Sequence, residues 1–526
     1  MPNRGCTLRD RPGSQAQSSG VRGLLDLLIQ WGLTDCVVSP GSRSTPLVMA
    51  ALERAELTLH PIADERAAAF FALGLRQAGK RPGLIATSGS APCHWHPALV
   101  EAKASHLDLV LISADRPSDL RHRGAPQSAD HRDLFRPQVE TFIEFEAKKG
   151  AAELQRLGCL LADQEAGASL HINVPLAKPL TLQPAPSLET PLPTREPLSP
   201  PSLPHRALLE GSGLVIAGGR AHREDCVDEL ATFLQSTGST LLAESASGLR
   251  HHPSLRAFQE LTPPDATPSW VLRLGHWPTA PTWRRALVEW ADAGVPIFGL
   301  GREAQNNPLD PEAAALGGPV AAQLVALCPP ANELRTYLGP VRPLSSPATD
   351  EEQLIQHLAG ALPLDSIVVL GNSLSVRRFD EAVRPGHAPT DIYGNRGACG
   401  IDGQLAFSAG MAAGTGRKVT CLLGDLSLFH DLNSLRLIQE SEVPICVVVI
   451  NNDGGRIFDQ LPAAKLIDPL DHERFFATPQ HLDLCAAAAL FGLPTRRVLP
   501  HQGPGLKAWL EDQAGSCFVE FDLRAQ

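Results

Sequence analysis

The sequence predicts an α/β chain of three doubly wound parallel-sheet domains. Short apolar runs, such as Val419 to Leu423 and Ile445 to Ile450, alternate with stretches of helical periodicity; Leu432, Leu435 and Ile438 form one between those two runs. Two proline-rich breaks, at 183–205 with eight prolines and at 329–348, divide the chain. Its 526 residues suit about three domains.

Composition narrows the function class. Apolar content of 43% and charged content of 20% describe a soluble globular protein. A net charge of −11 without a long basic run argues against nucleic-acid binding. The eleven cysteines are scattered, odd in number and free of C-x-x-C pairs, a reduced, cytoplasmic pattern. Cys421 and Cys446 lie in apolar runs and read as small hydrophobes. No apolar run approaches the roughly 18 residues of a membrane span. Residues 1–20 lack the apolar core of a signal peptide and read as disordered.

The first domain, 21–182, opens with a helix through Leu24, Leu28 and Trp31. The strand Cys36 to Val38 runs into Ser39-Pro40-Gly41-Ser42-Arg43-Ser44-Thr45-Pro46, with Thr45 as N-cap and Pro46 as first helical residue. A Ser/Arg turn before a helix suits an anion, although taken alone a capped helix with a solvated Arg43 is the simpler reading. Asp64 reads as an N-cap and Glu65 as a first-turn acid favoured by the helix dipole. Further strands end in Thr87-Ser88-Gly89-Ser90 and Asp115-Arg116-Pro117, and Gln127 follows in a polar loop. The second domain, 206–328, contains Gly218-Gly219, too short for a dinucleotide fingerprint. Its His276, Trp277, Arg284 and Arg285 read as helix and loop surface, with a site contact as the minor alternative.

The third domain, 349–526, starts with the capping-box pattern Thr349-Asp350-Glu351-Glu352. A strand ends in Gly371-Asn372-Ser373, and Arg377, Arg396, Ile401 and Gly403 follow. The unit opening at Val419 is strand, helix, strand, with an expected right-handed parallel crossover. Gly424-Asp425 and Asn451-Asn452 then stand at carboxyl ends of strands, where open α/β sheets bind ligands. Alone, Asp425 or Asn452 is an ordinary turn residue. Together on one unit they suit Mg²⁺ (or Mn²⁺), which takes few protein oxygens and completes its shell with phosphates and water. Gly454-Gly455 lets the backbone fold tightly enough for the Gly454 carbonyl to be a third ligand. The first and third domains share the pattern strand, Gly/Ser turn, helix, without obvious sequence identity.

Specific strings carry a family resemblance across nearly the whole chain beyond residue 20. SPGSRSTPL (Ser39 to Leu47), DER (Asp64 to Arg66), TSGSA (Thr87 to Ala91) and ADRP (Ala114 to Pro117) occur in the first domain. GNSLSVR (Gly371 to Arg377), NRGACGIDG (Asn395 to Gly403), GDLS (Gly424 to Ser427) and NNDGGRIF (Asn451 to Phe458) occur in the third. The chain resembles thiamin-diphosphate enzymes and, among them, the 2-succinyl-5-enolpyruvyl-6-hydroxy-3-cyclohexene-1-carboxylate (SEPHCHC) synthases of menaquinone and phylloquinone synthesis.

That resemblance implies a pyrimidine-binding first domain, a diphosphate-binding third domain, and a transferase. The family decarboxylates 2-oxoglutarate on thiamin diphosphate and adds the succinyl carbanion equivalent to isochorismate in a 1,4-fashion. Glu65 resembles the glutamate that hydrogen-bonds the aminopyrimidine, where apolar burial would raise its carboxyl pKa. Ile401 resembles the residue that bends the cofactor, Gly424 belongs to the diphosphate motif, and Ser427 resembles a diphosphate contact. Asp425, Asn452 and the Gly454 carbonyl resemble the metal ligands. Ser42, Arg43 and Arg116 resemble isochorismate binders. Ser373, Arg377 and Arg396 resemble the set around the 2-oxoglutarate-derived group, and Gln127 a glutamine near the reacting carbon.

Leu426 stands where the wider family has glycine, Asp453 where Asn is usual, and Arg284 near the position of a family lysine. Dianionic substrates suit these arginines, because an unpaired buried carboxylate costs several kcal/mol. They weigh against an acetolactate-synthase-like carboligase or other 2-oxoacid decarboxylase acting on small neutral acceptors. Glu65, Asp425 and Asn452 together weigh against a catalytically dead scaffold. The family also implies a homodimer or dimer of dimers with active sites at the subunit interface.

Overall fold

The computed structural model describes residues 12–121, 123–164, 168–188, 190–193, 209, 211–221, 225–301, 308–309, 319–328 and 349–524. The chain forms two compact units, Met1–Pro197 and Leu198–Gln526. The division falls within the first predicted linker. Of that linker, 183–188 and 190–193 carry neither helix nor strand, while 194–205 lie outside the described residues, as does the whole second linker, 329–348.

The first unit holds β1 (Asp35–Val38), β2 (Thr58–Pro61), β3 (Pro82–Ala86), β4 (Val110–Asp115), β5 (Thr141–Glu144) and β6 (Leu170–Pro175), in the order β2-β1-β3-β4-β6-β5. Every pairing is parallel. β1, β3 and β4 are buried along their whole length. Covered on both faces, such strands read as continuous apolar runs rather than alternating ones.

The structure overturns two local expectations. Residues 12–20, read as disordered, belong to the helix Pro12–Gln30. Gln17 exchanges two hydrogen bonds with the Ala177 backbone, and the Ser18 hydroxyl accepts the Gln183 N–H. These long-range bonds hold a segment whose composition gives no periodic signal. The helix after β1 runs Thr45–Leu52 with Ser44, not Thr45, at the N-cap.

The second unit carries two sheets. The central one contains β7 (Gly213–Ala217), β8 (Thr240–Ala243), β9 (Gln259–Glu260), β10 (Trp270–Leu274) and β11 (Ile297–Leu300), ordered β11-β10-β7-β8-β9. The other contains β12 (Ile367–Leu370), β13 (Ile392–Tyr393), β14 (Val419–Gly424), β15 (Ile445–Asn451), β16 (Thr495–Val498) and β17 (Cys517–Asp522), ordered β13-β12-β14-β15-β17-β16. All pairs are parallel in these sheets too. The last sheet repeats the strand order of the first, so the shared pattern seen in sequence is a shared topology. His276, read as surface, is buried. No described helix is long and apolar enough to cross a membrane.

Candidate active site

In the last sheet the chain passes from β12 to β13 on one side and to β14 on the other. Connections therefore diverge between β12 and β14, leaving a crevice at their carboxyl ends. A cavity of about 320 Å³ opens there. The turn after β12 supplies Asn372 and Ser373, the following loop Gly400 and Ile401, β14 and its exit Gly424, Asp425 and Ser427, and the exit of β15 Asn452, Gly454 and Phe458.

Asp425 starts the helix Asp425–His430 and is 5% exposed. Its Oδ2 accepts the Gly454 N–H at 2.6 Å. Burial pushes its carboxyl up to about 6, and that N–H pulls the other way. An acid in this position gains from a cation, which supplies the charge that water no longer does. Asn452 borders the same cavity, and its side-chain amide has no protein partner among the described residues. The Gly454 carbonyl accepts the Arg456 N–H at 2.9 Å and keeps a second lone pair. Among the described residues no three His, Cys, Asp or Glu side chains cluster as a metal site. One carboxylate, one amide and one carbonyl suit a hard cation that brings its own anionic ligand.

The glycines show where a ligand fits. Gly454 has φ +123°, and a Cβ there would lie 2.2 Å from the Ala477 carbonyl oxygen. At Gly424 and Gly400 an added Cβ would meet no atom within 4 Å, so their bare faces border open space. Ser373 (φ 68°) and Asp453 (φ 56°) hold left-handed conformations unusual for their types. Such strain gathers at binding sites. Ile401 is 38% exposed despite being apolar and lies on the cavity wall.

The equivalent crevice of the first unit, between β1 and β3, is cationic. Arg43 is buried, donates to the Leu176 carbonyl at 2.6 Å, and its backbone N–H reaches the Thr87 hydroxyl at 3.3 Å. Burial and then the neighbouring Arg116 charge hold Arg43 below the usual guanidinium range. Arg116 donates to the Pro126 carbonyl. The Ser88 hydroxyl donates to the Gln127 carbonyl at 3.1 Å, and Gln127 has φ 57°. Behind them Asp115, fully buried, accepts from the Asn173 amide at 3.0 Å.

Two family models match, "Thiamine pyrophosphate enzyme, N-terminal TPP binding domain" over residues 18–134 and "Thiamine pyrophosphate enzyme, C-terminal TPP binding domain" over residues 372–521. Relatives named 2-succinyl-5-enolpyruvyl-6-hydroxy-3-cyclohexene-1-carboxylate synthase align along nearly their full length. That of Halorhodospira halophila is 36% identical, covering 90% of this chain and 89% of the relative. Those of Sorangium cellulosum and Bacillus pumilus are 32% and 31% identical, covering 92% and 91% of this chain and 89% and 90% of the relatives. The chain belongs to the SEPHCHC synthase family of thiamine pyrophosphate enzymes.

In this synthase-family chain the predicted residues fall into two groups, one in each unit. Ser373, Ile401, Gly424, Asp425, Ser427, Asn452 and Gly454 share the cavity of the second unit. Arg377 and Arg396 do not line it. Arg377 donates to the Ser373 carbonyl and Arg396 to the Asn372 amide oxygen at 2.5 Å. Arg284 lies close enough to depress Arg377, whose guanidinium is already lowered by burial. In the first unit, Arg43, Arg116 and Gln127 gather at one crevice, Ser42 is exposed beside it, and Glu65 opens the helix Glu65–Gln77. Glu65 is half-buried within a single chain, short of the apolar enclosure expected for it.

Sequence reasoning missed Asn372. Its Nδ2 donates to the carbonyls of Asn395, Cys399 and Gly400, each at 2.8 Å. One amide thus ties the loop bearing Ile401 to the tip of β12. Only its place after a buried apolar strand could have flagged it. Glu351 also lines the cavity, with its carboxyl raised by burial.

Proposed function

We propose that this chain decarboxylates 2-oxoglutarate and adds the succinyl carbanion equivalent to isochorismate in a 1,4-fashion, releasing CO2 and forming SEPHCHC on the way to a quinone. One observation carries the reading: a cavity at the switch point of the last sheet joins a buried acid, an amide without a partner among the described residues, and two glycines whose bare faces border open space. The donor set fits a diphosphate held through Mg²⁺ or Mn²⁺, with Asp425, Asn452 and the Gly454 carbonyl as protein ligands and Ser427 at the diphosphate. When bound, thiamin diphosphate supplies the carbon centre on which a 2-oxo acid can lose CO2. Glu65 would hold a proton at the aminopyrimidine, and Ile401 would press against the cofactor from the cavity wall.

The arginines orient substrate. Arg43 and Arg116, with Ser42, face the carboxylates of isochorismate, and Gln127 lies at the reacting carbon. Ser373, Arg377 and Arg396, with Arg284, face the distal carboxylate of the donor. Charge-assisted bonds of this kind suit dianions better than small neutral acceptors. The active form is at least a homodimer, in which Glu65 and Asp425 of different chains serve one cofactor, and it works in the cytoplasm. Product analysis by mass spectrometry tests the reading. With 2-oxoglutarate, isochorismate, thiamin diphosphate and Mg²⁺ the expected product is SEPHCHC; a product from pyruvate alone, or none without pyruvate, contradicts it.

A further inference from the structure

Glu244 follows β8 and is 2% exposed. Its Oε1 accepts the N–H of Thr279 and, at 3.0 Å, that of Ala280. These residues lead into the helix Pro281–Asp292, whose own N-cap, Ala280, has no capping side chain. The Ala280 carbonyl accepts the Arg284 N–H at 3.1 Å, and Arg284 Nε donates to the Pro278 carbonyl at 2.6 Å. One carboxyl from a distant strand therefore fixes the turn on which Arg284 stands.

The same segment docks onto the helix that carries Arg377, Leu374–Ala382. The Ser245 N–H donates to Asp380 Oδ1 at 2.7 Å. Arg250 donates to the carbonyls of Asp380 at 2.8 Å and Val383 at 3.2 Å. Arg377 and Asp380 are three residues apart and so share a helix face. Glu244 acts on Arg377 in the sense opposite to Arg284, and Arg396 favours its ionised form. Burial and the nearby Asp380 push the Glu244 carboxyl up to about 7. Neither Arg284 nor Arg377 makes an ion pair among the described residues. A simple helix cap would need only the two N–H bonds; this one also stands within the field of the arginines assigned to the donor substrate.

We propose that Glu244 is a positioning residue of the donor site, holding Arg284 beside Arg377 so that the two guanidiniums together grip the distal carboxylate of a 2-oxo dicarboxylate. The inference rests on the reading of the chain as a synthase that uses 2-oxoglutarate. Removing the carboxyl frees two N–H groups and the turn they start, so Arg284 drifts while the first unit's arginines are untouched.

The test compares wild type, Glu244→Gln and Glu244→Ala with thiamin diphosphate and Mg²⁺ present. KM is measured for each substrate, and glutarate, a dicarboxylate without the oxo group, is titrated by calorimetry. For Glu244→Ala the expected result is a rise of about tenfold or more in KM for 2-oxoglutarate and in the Kd of glutarate. KM for isochorismate should stay within about twofold. Glu244→Gln keeps an acceptor oxygen and should fall between, and it carries the test if the alanine variant does not fold. Equal changes for both substrates, or unchanged glutarate affinity, would overturn the inference. An inactive wild type that still binds glutarate more tightly than its variants would instead refute the synthase reading and leave the inference standing.

Discussion

The first and last sheets share one strand order and opposite chemistry. β1 and β3 frame a crevice with two arginines, Arg43 held low by burial and by its neighbour. β12 and β14 frame one with a buried acid, Asp425, pushed up by its burial. Topology decides where a site can form, and the residues on strand tips decide what it takes. A cationic crevice awaits a carboxylate; a buried acid beside an amide without a partner among the described residues awaits a cation.

The contrast breaks most easily at Asp425. Asp425→Ala should lower kcat by about a thousandfold or more and abolish the rise in melting temperature on adding thiamin diphosphate and Mg²⁺, because protein contact with the cation is lost. A variant retaining that thermal shift would show that the last crevice is not the diphosphate seat. Next comes Arg43→Ala. Losing a charge-assisted contact of about 2 kcal/mol should raise KM for isochorismate roughly thirtyfold while leaving cofactor binding intact. If cofactor affinity fell instead, the two crevices would not divide the work this way. Asn372→Ala, which frees the Ile401 loop, should weaken thiamin diphosphate about tenfold in a calorimetric titration, with the fold kept.

The smallest effect is common to both units. Burial pushes His171 in the first and His251 in the second down to about 3. Unfolding restores an ordinary imidazole, so the unfolded chain takes up protons below about pH 6.5 and stability falls as pH drops from there toward 3. Each should cost about 1.3 kcal/mol at pH 5.5 relative to neutral pH. Denaturant midpoints measured across that range should drop, and His171→Gln should remove the first unit's share only.

The site's skeleton was legible because strand-end chemistry is local. Gly424-Asp425 and Asn451-Asn452 follow apolar runs directly, and period and position were enough to pair them. Contacts that bridge distant segments left no such trace. Asn372 acts on carbonyls 23 to 28 residues away, and Glu244 on N–H groups 35 and 36 residues away. The first turns of the helix Pro12–Gln30, ahead of the predicted stretch through Leu24 and Leu28, escaped for the same reason. They are rich in Gly, Ser and Gln, and tertiary bonds from Gln17 and Ser18 settle what propensity does not.

We propose that the two crevices, taken from different chains, make one active site. Subunit mixing tests it most directly. Glu65→Gln and Asp425→Ala homodimers should each be inactive. After dissociation and reassociation at equal amounts, about half the dimers are mixed, and each of these holds one site with both natural residues. Activity should return to about a quarter of wild type. If the mixture stays inactive while the exchange of subunits is verified by native mass spectrometry, Glu65 and Asp425 do not serve one cofactor from separate chains.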